Sequence, residues 1–135
     1  MRQSWQLNRA LELHDSELAS LRLSDGAVVV ALRPAYIHSS AGVAGVDSGE
    51  VHLQDVDIIL PGAELPDPLP QEPVTISDGT VRIGDRDFEN CLPVPFSTVG
   101  TATLSLVLVS GQRLSIKGAG LELVRIGEPK FLERF

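Results

Sequence analysis

At 135 residues, 43% hydrophobic and 21% charged, the chain has the length and apolar content of one globular domain spanning residues 1–135, able to bury roughly two thirds of its unfolded surface. A formal charge of -7 and a pI near 4.8 argue against nucleic acid as a partner and for a protein partner with a basic surface. A single cysteine rules out an intrachain disulfide, and no apolar run has signal-peptide or membrane-span length, so the expectation is a cytoplasmic chain with no membrane association.

In chain order, the N-terminus fits two periods: Trp5, Leu7, Leu11 and Leu13 alternate as in a strand, while Leu7, Ala10, Leu11 and Leu18 keep helical spacing. The strand is favoured, because no other stretch carries a convincing helical stripe. Asp25-Gly26 between alternating apolar runs predicts a two-residue type I′ hairpin. Its register sets Ser24 against Ala27, Leu23 against Val28, Leu21 against Val30 and Ala19 against Leu32, with Arg22 and Val29 on the other face. Ala35 to Gly49, rich in Ala, Gly and Ser, reads as a mobile loop.

Glu50 to Leu60 reads as a strand whose apolar phase switches between Leu53 and Val56, which places a β-bulge near Gln54-Asp55. From Pro61 to Pro73, five of thirteen residues are proline, the composition of a stiff extended arm lying over the surface. Asp78-Gly79 predicts a second hairpin, with Ile76 opposing Val81 and Val74 opposing Ile83. A third falls at Ser110-Gly111, where a three-residue loop keeps Leu104, Leu106 and Leu108 on the face shared with Leu114 and Ile116, and Gly111 takes positive φ. Leu121 to Ile126 closes the series as a strand between two glycines. Long connections are where binding surfaces concentrate, so the 35–49 and 61–73 segments are candidates for one.

The chemistry-bearing residues are few. His14-Asp15-Ser16 has the composition of a hydrolytic triad, but neighbours on an extended chain point to opposite sides, and a turn with side-chain to backbone hydrogen bonds is the favoured reading. His14, His38 and His52 lack metal-ligand spacing, so no metal is expected. Asp85, Asp87 and Glu89 begin like a calcium loop but are followed by Asn90 and Phe96 where that loop needs glycine and glutamate. Asp55 and Asp57 share one strand face. Cys91 lies between apolar residues and two prolines that oppose regular pairing, and reads as a buried inert thiol. No phosphate loop is present and no cofactor is called for. The binding candidates are therefore His14, Asp15, His38, His52, Asp55 and Asp57.

The segment from Leu13 to Leu23 (LHDSELASLRL), followed by its Asp-Gly hairpin, resembles the start of small β-rich bacterial toxin-immunity proteins and uncharacterised domains. The strand pair from Thr103 to Lys117 and the closing Leu121 to Ile126 are similar in those proteins too. The resemblance implies a non-enzymatic protein that blocks a partner toxin through its surface, and it carries over no binding residue.

The expected architecture is all-β: an antiparallel β-sandwich or flattened barrel of about eight to ten short strands, rich in meanders. The leading functional expectation is a non-enzymatic protein-binding module, an immunity or inhibitor protein against a toxin. The alternatives are a small-ligand-binding β-barrel and a domain that self-associates as a homodimer through a strand edge or the Lys130 to Phe135 tail.

Overall fold

Period-two patterning carries the chain into strands wherever it persists. The computed structural model describes residues 9–40 and 49–134. Its elements are β1 (Arg9–Glu12), β2 (Glu17–Ser24), β3 (Ala27–Ser40), β4 (Gly49–Pro61), β5 (Val74–Ile83), β6 (Arg86–Glu89), β7 (Cys91–Pro93), β8 (Ser97–Leu108) and β9 (Arg113–Arg134), with no helix among the described residues. No helix there is long and apolar enough to cross a membrane. Trp5, Leu7 and residues 41–48 lie outside the described residues, so the N-terminal strand is seen only as Arg9–Glu12.

The strands form one antiparallel sheet in the order β2-β5-β8-β9-β4-β3, and β3 pairs back onto β2 to close a ring. Closure leaves the ring strands few free edges. Along one edge of β3, β2 occupies the first half and β1 the second, and β7 adds to β1 while β6 adds to β5. The second halves of β3 and β9 and the first half of β4 thus run on past the ring as a wing in the order β9-β4-β3-β1-β7.

The interior is filled by aliphatic side chains from every ring strand. Leu18, Val28, Val30, Leu32, Ile58, Leu60, Ile76, Val81 and Leu104 are completely buried, and Leu106, Leu108 and Ile116 nearly so. With each large aliphatic group worth roughly 1.5–3 kcal/mol on burial, this core is the main source of stability.

The first hairpin has the expected register through Ser24–Ala27, Leu23–Val28, Leu21–Val30 and Arg22–Val29, and Asp25 and Gly26 take φ of 50° and 76°, as a type I′ turn requires. Beyond it the expected Ala19–Leu32 pair gives way to Leu18–Leu32, because Ala19 is bulged out and returns Leu18 to the core. The third hairpin also holds: Leu106 faces Leu114, Leu104 faces Ile116, Leu108 N–H donates to Gln112 O, and Gly111 has φ 93°.

The second hairpin is corrected. β5 runs straight through Asp78-Gly79 and pairs along its length with β8, with Ser77 bulged, and the chain reverses instead at Gly84-Asp85, where Ile83 faces Arg86. Gly84 has φ 61°, the geometry of a type II′ turn that begins with glycine. Gly79 serves close packing instead: a Cβ there would lie 2.7 Å from Leu13 Cδ1 and 3.1 Å from Leu106 Cδ2.

Three further expectations shift. Ala35 to Ser40 is strand rather than loop, as is Gly49, and the rest of that segment, residues 41–48, lies outside the described residues. Cys91–Pro93 pairs with β1 despite its proline, which sits where the short edge strand tolerates a missing donor. The phase change near Gln54-Asp55 is real, but β4 is continuous there and its neighbours hold the extra residues: Arg33-Pro34 in β3 and Gly127 to Pro129 in β9. The proline-rich arm lies on the surface as expected, with Ala63 buried and Leu65 against the core. Its Glu72 Oε2 accepts from Leu21 N–H at 2.7 Å, occupying a β2 edge donor beyond the short β2–β5 pairing.

Candidate functional site

Two polar clusters and one strand edge gather the chemistry of the wing. The first cluster is built by the turn between β1 and β2 and by Asn90, the single residue between β6 and β7. Asn90 takes φ 65°, a conformation asparagine tolerates better than most residues. Its Oδ1 accepts from His14 N–H at 2.7 Å and its Nδ2 donates to Glu12 Oε1 at 3.4 Å. The other Glu12 oxygen, Oε2, is in short contact with His38 Nε2. His14 Nδ1 stands 3.9 Å from Glu12 and 3.3 Å from Asp15.

Ser16 takes no part in a triad. It is fully buried, its hydroxyl donates to Glu12 O at 2.6 Å, and its oxygen accepts from Tyr36 N–H at 3.1 Å. That proton is committed to the backbone, and the hydroxyl ties β1 to β3 as the turn reading expects. Asp15 and Ser16 also bond to Ile76 through backbone groups, which clasps the turn to β5.

Cys91 faces Glu12 across the β1–β7 pair. Burial, and then the negative charge of Glu12, push its thiol above the ordinary cysteine value. Both causes penalise the thiolate, the reverse of what activates a nucleophilic cysteine. The pH midpoint for alkylation of Cys91 by iodoacetamide should accordingly lie above the ~8.5 of a free cysteine. Glu12→Gln should move that midpoint down, and a wild-type midpoint below the free-cysteine value would contradict the assigned environment.

The second cluster explains the acidic pair on β4. Asp55 and Asp57 do share the outer face, and both engage Arg33: Nη2 lies 2.8 Å from Asp57 Oδ1 and Nε 3.9 Å from Asp55 Oδ2, while Arg22 approaches Asp57 at 3.8 Å. Arg33 also donates to Leu32 O at 3.0 Å and Val56 O at 3.2 Å. These carbonyls flank the bulge at Arg33-Pro34, where the ladder is interrupted and proline supplies no N–H. The guanidinium therefore staples an irregular stretch of sheet, and Asp57, only 9% exposed, neutralises it there. This pair is structural first.

The facing bulges of β3 and β9 open a cleft of about 490 Å³ on the outer face, with Leu53, Pro34 and Ile126 as its apolar surface and Arg33, Asp55, Glu128 and Lys130 around them. Buried Gln54 bridges the gap to β9, its Nε2 donating to Gly127 O at 2.8 Å. Beside the cleft runs the second half of β9. β8 leaves it after Glu122, and from Val124 onward only β4 pairs with it among the described residues. Val124, Ile126, Phe131 and Leu132 are exposed there, Phe131 by 57%.

The six candidate residues therefore separate. His14 and His38 converge on Glu12, with Asp15 reaching His14 rather than Glu12, Asp55 and Asp57 join Arg33, and His52 lies on the opposite face of β4, 3.8 Å from Glu50 and edge-on to the Phe131 ring. Among the described residues, no group of three His, Cys, Asp or Glu side chains is arranged to hold a metal ion. Residue type and spacing do not single out Glu12, Asn90 or Arg33, although the proline inside an apolar strand marks the bulge that Arg33 serves. Compared with family models, curated proteins and solved structures, the chain matches none.

Proposed function

We propose that this chain is a non-enzymatic protein-binding module that occupies the surface of a partner carrying a basic face, in the manner of an immunity protein that inhibits a toxin. The observation that carries the reading is the β9 strand from Val124 to Arg134, which pairs only with β4 among the described residues, leaves Val124, Ile126, Phe131 and Leu132 exposed, and lends Ile126 to the outer cleft. Free backbone donors and acceptors beside apolar anchors are what an added strand of a partner uses. The net charge of -7 favours a basic partner and speeds encounter. The raised Cys91 thiol and the committed Ser16 hydroxyl support binding over nucleophilic chemistry. The filled ring favours a surface over an enclosed small ligand.

The reading is tested with a photo-crosslinking residue at Ile126 or, as a control, at the exposed Val109 on the β8–β9 hairpin, in extract of the source cells. Ile126 should give one discrete heterologous adduct whose yield falls as salt rises, and Val109 should not. Equal patterns from both positions, or an adduct of twice the chain mass from paired β9 edges, would overturn it.

A further inference from the structure

The bulge that opens the outer cleft also leaves a smaller pocket, of about 180 Å³, on the opposite face of β4 and β9. Arg9 and Arg125 line it together with His52, Ser39, Gln54 and Ile37. Strand alternation puts these groups on one side: Ile37 faces His52 across the β3–β4 pair, Arg9 faces Ser39, and Arg125 faces Val56, two residues from Gln54. In a chain with net charge -7, the described lining holds two guanidinium groups and an imidazole and no carboxylate. Glu50 lies 3.8 Å from His52 Nε2 and is shared with Arg134 at 3.2 Å. Neither Arg9 nor Arg125 makes an ion pair among the described residues comparable to that of Arg33 with Asp57. Ser39 and Gln54 add neutral polar groups, and Ile37, 3% exposed, provides an apolar floor.

We infer that this pocket is a binding site for a compact oxyanion, with a phosphate group as the best match. Forked guanidinium donors recognise phosphate oxygens in pairs, and two of them with an adjacent imidazole suit two negative charges better than one. The volume suits a phosphate group with at most a short substituent. The site lies on the face away from the outer cleft, although Gln54 lines both and Arg125 belongs to the same stretch of β9, and a titration with phosphate alone reads it separately from the partner proposed above.

The experiment is a proton NMR titration of the imidazole resonances with inorganic phosphate, at constant pH and with chloride holding ionic strength fixed. The chain has three histidines, so His52→Gln assigns the relevant signal. Phosphate should shift the His52 resonance saturably and leave those of His14 and His38 in place. Arg125→Gln and Arg9→Gln, both at exposed positions, should each weaken binding by roughly tenfold or more, and acetate should bind more weakly than phosphate. A shift that never saturates, one common to all three histidines, or one unchanged in both arginine variants would overturn the site. Acetate binding as tightly as phosphate would overturn the choice of anion.

Discussion

Leu104→Ala is expected to lower the unfolding free energy by about 2–5 kcal/mol, a large share of the roughly 5–15 kcal/mol available to a domain of ordinary stability. Leu104 is completely buried on β8 and sits between Val81 of β5 and Ile116 of β9, both buried. Truncation loses the transfer free energy of the side chain and leaves a cavity that three hydrogen-bonded strands cannot close by shifting one of them. Val99→Ala, on the same strand but 91% exposed, should change stability by no more than about 0.5 kcal/mol. Denaturant unfolding of the two variants provides the comparison. Equal, small losses would mean that the ring does not enclose a continuous core.

Gly79→Ala should destabilise by about 1–3 kcal/mol, although alanine is ordinarily the better residue in a strand. The added methyl would lie 2.7 Å from Leu13 Cδ1, 3.0 Å from Leu13 Cβ and 3.1 Å from Leu106 Cδ2. None of these can retreat easily, because Leu13 is fully buried and its N–H is bonded to Asn90 O at 2.7 Å. The clash predicts a non-additive pair. In a Leu13→Ala background the shortest contact is gone, so the cost of Gly79→Ala should fall, while the contacts with Leu13 Cβ and Leu106 keep it above zero. Strict additivity in a double-mutant cycle would place the strain elsewhere. The same clasp orders the turn at His14, so both variants should also broaden the His14 imidazole resonance.

The failed hairpin at Asp78-Gly79 and the successful one at Asp25-Gly26 have the same two-residue spelling, and the contrast shows what local chemistry can decide. Asp25-Gly26 reverses the chain because the runs on either side, Leu21 to Ser24 and Ala27 to Val30, pair with each other and bury Leu21 with Val28 and Val30. Around Asp78-Gly79 the flanking runs find better partners in β8 and β6, and glycine is needed for the space it leaves to Leu13. The bulge near Gln54 is similar. The phase change in β4 was legible because period two is strict, but the strand holding the extra residue was not, since a slip between two strands can be absorbed by either.

For the candidate site, residue type without position was a weak guide. Alternation puts Asp55 and Asp57 on one face, where they are, yet their role as partners of Arg33 depends on which strand comes to lie beside them. Glu12 was invisible as a hub because His14, His38, Asn90 and Cys91 reach it from the β1–β2 turn and from β3, the β6–β7 junction and β7.

The sequence by itself determined the all-β class, the inward faces of most long strands, and two of three expected hairpins, because alternation and turn residues act over a few neighbouring positions. Ala35–Ser40 and Cys91–Pro93 were not legible as strands, and Leu23, in phase with Leu21, is 58% exposed. Only the tertiary structure decided the ring order, the placement of β9 beside β4, and the two bulges that open a cleft on one face and a basic pocket on the other. These depend on contacts between residues as far apart as Asp55 and Ile126, where no local preference operates and the choice is made by which pairing buries the most apolar surface.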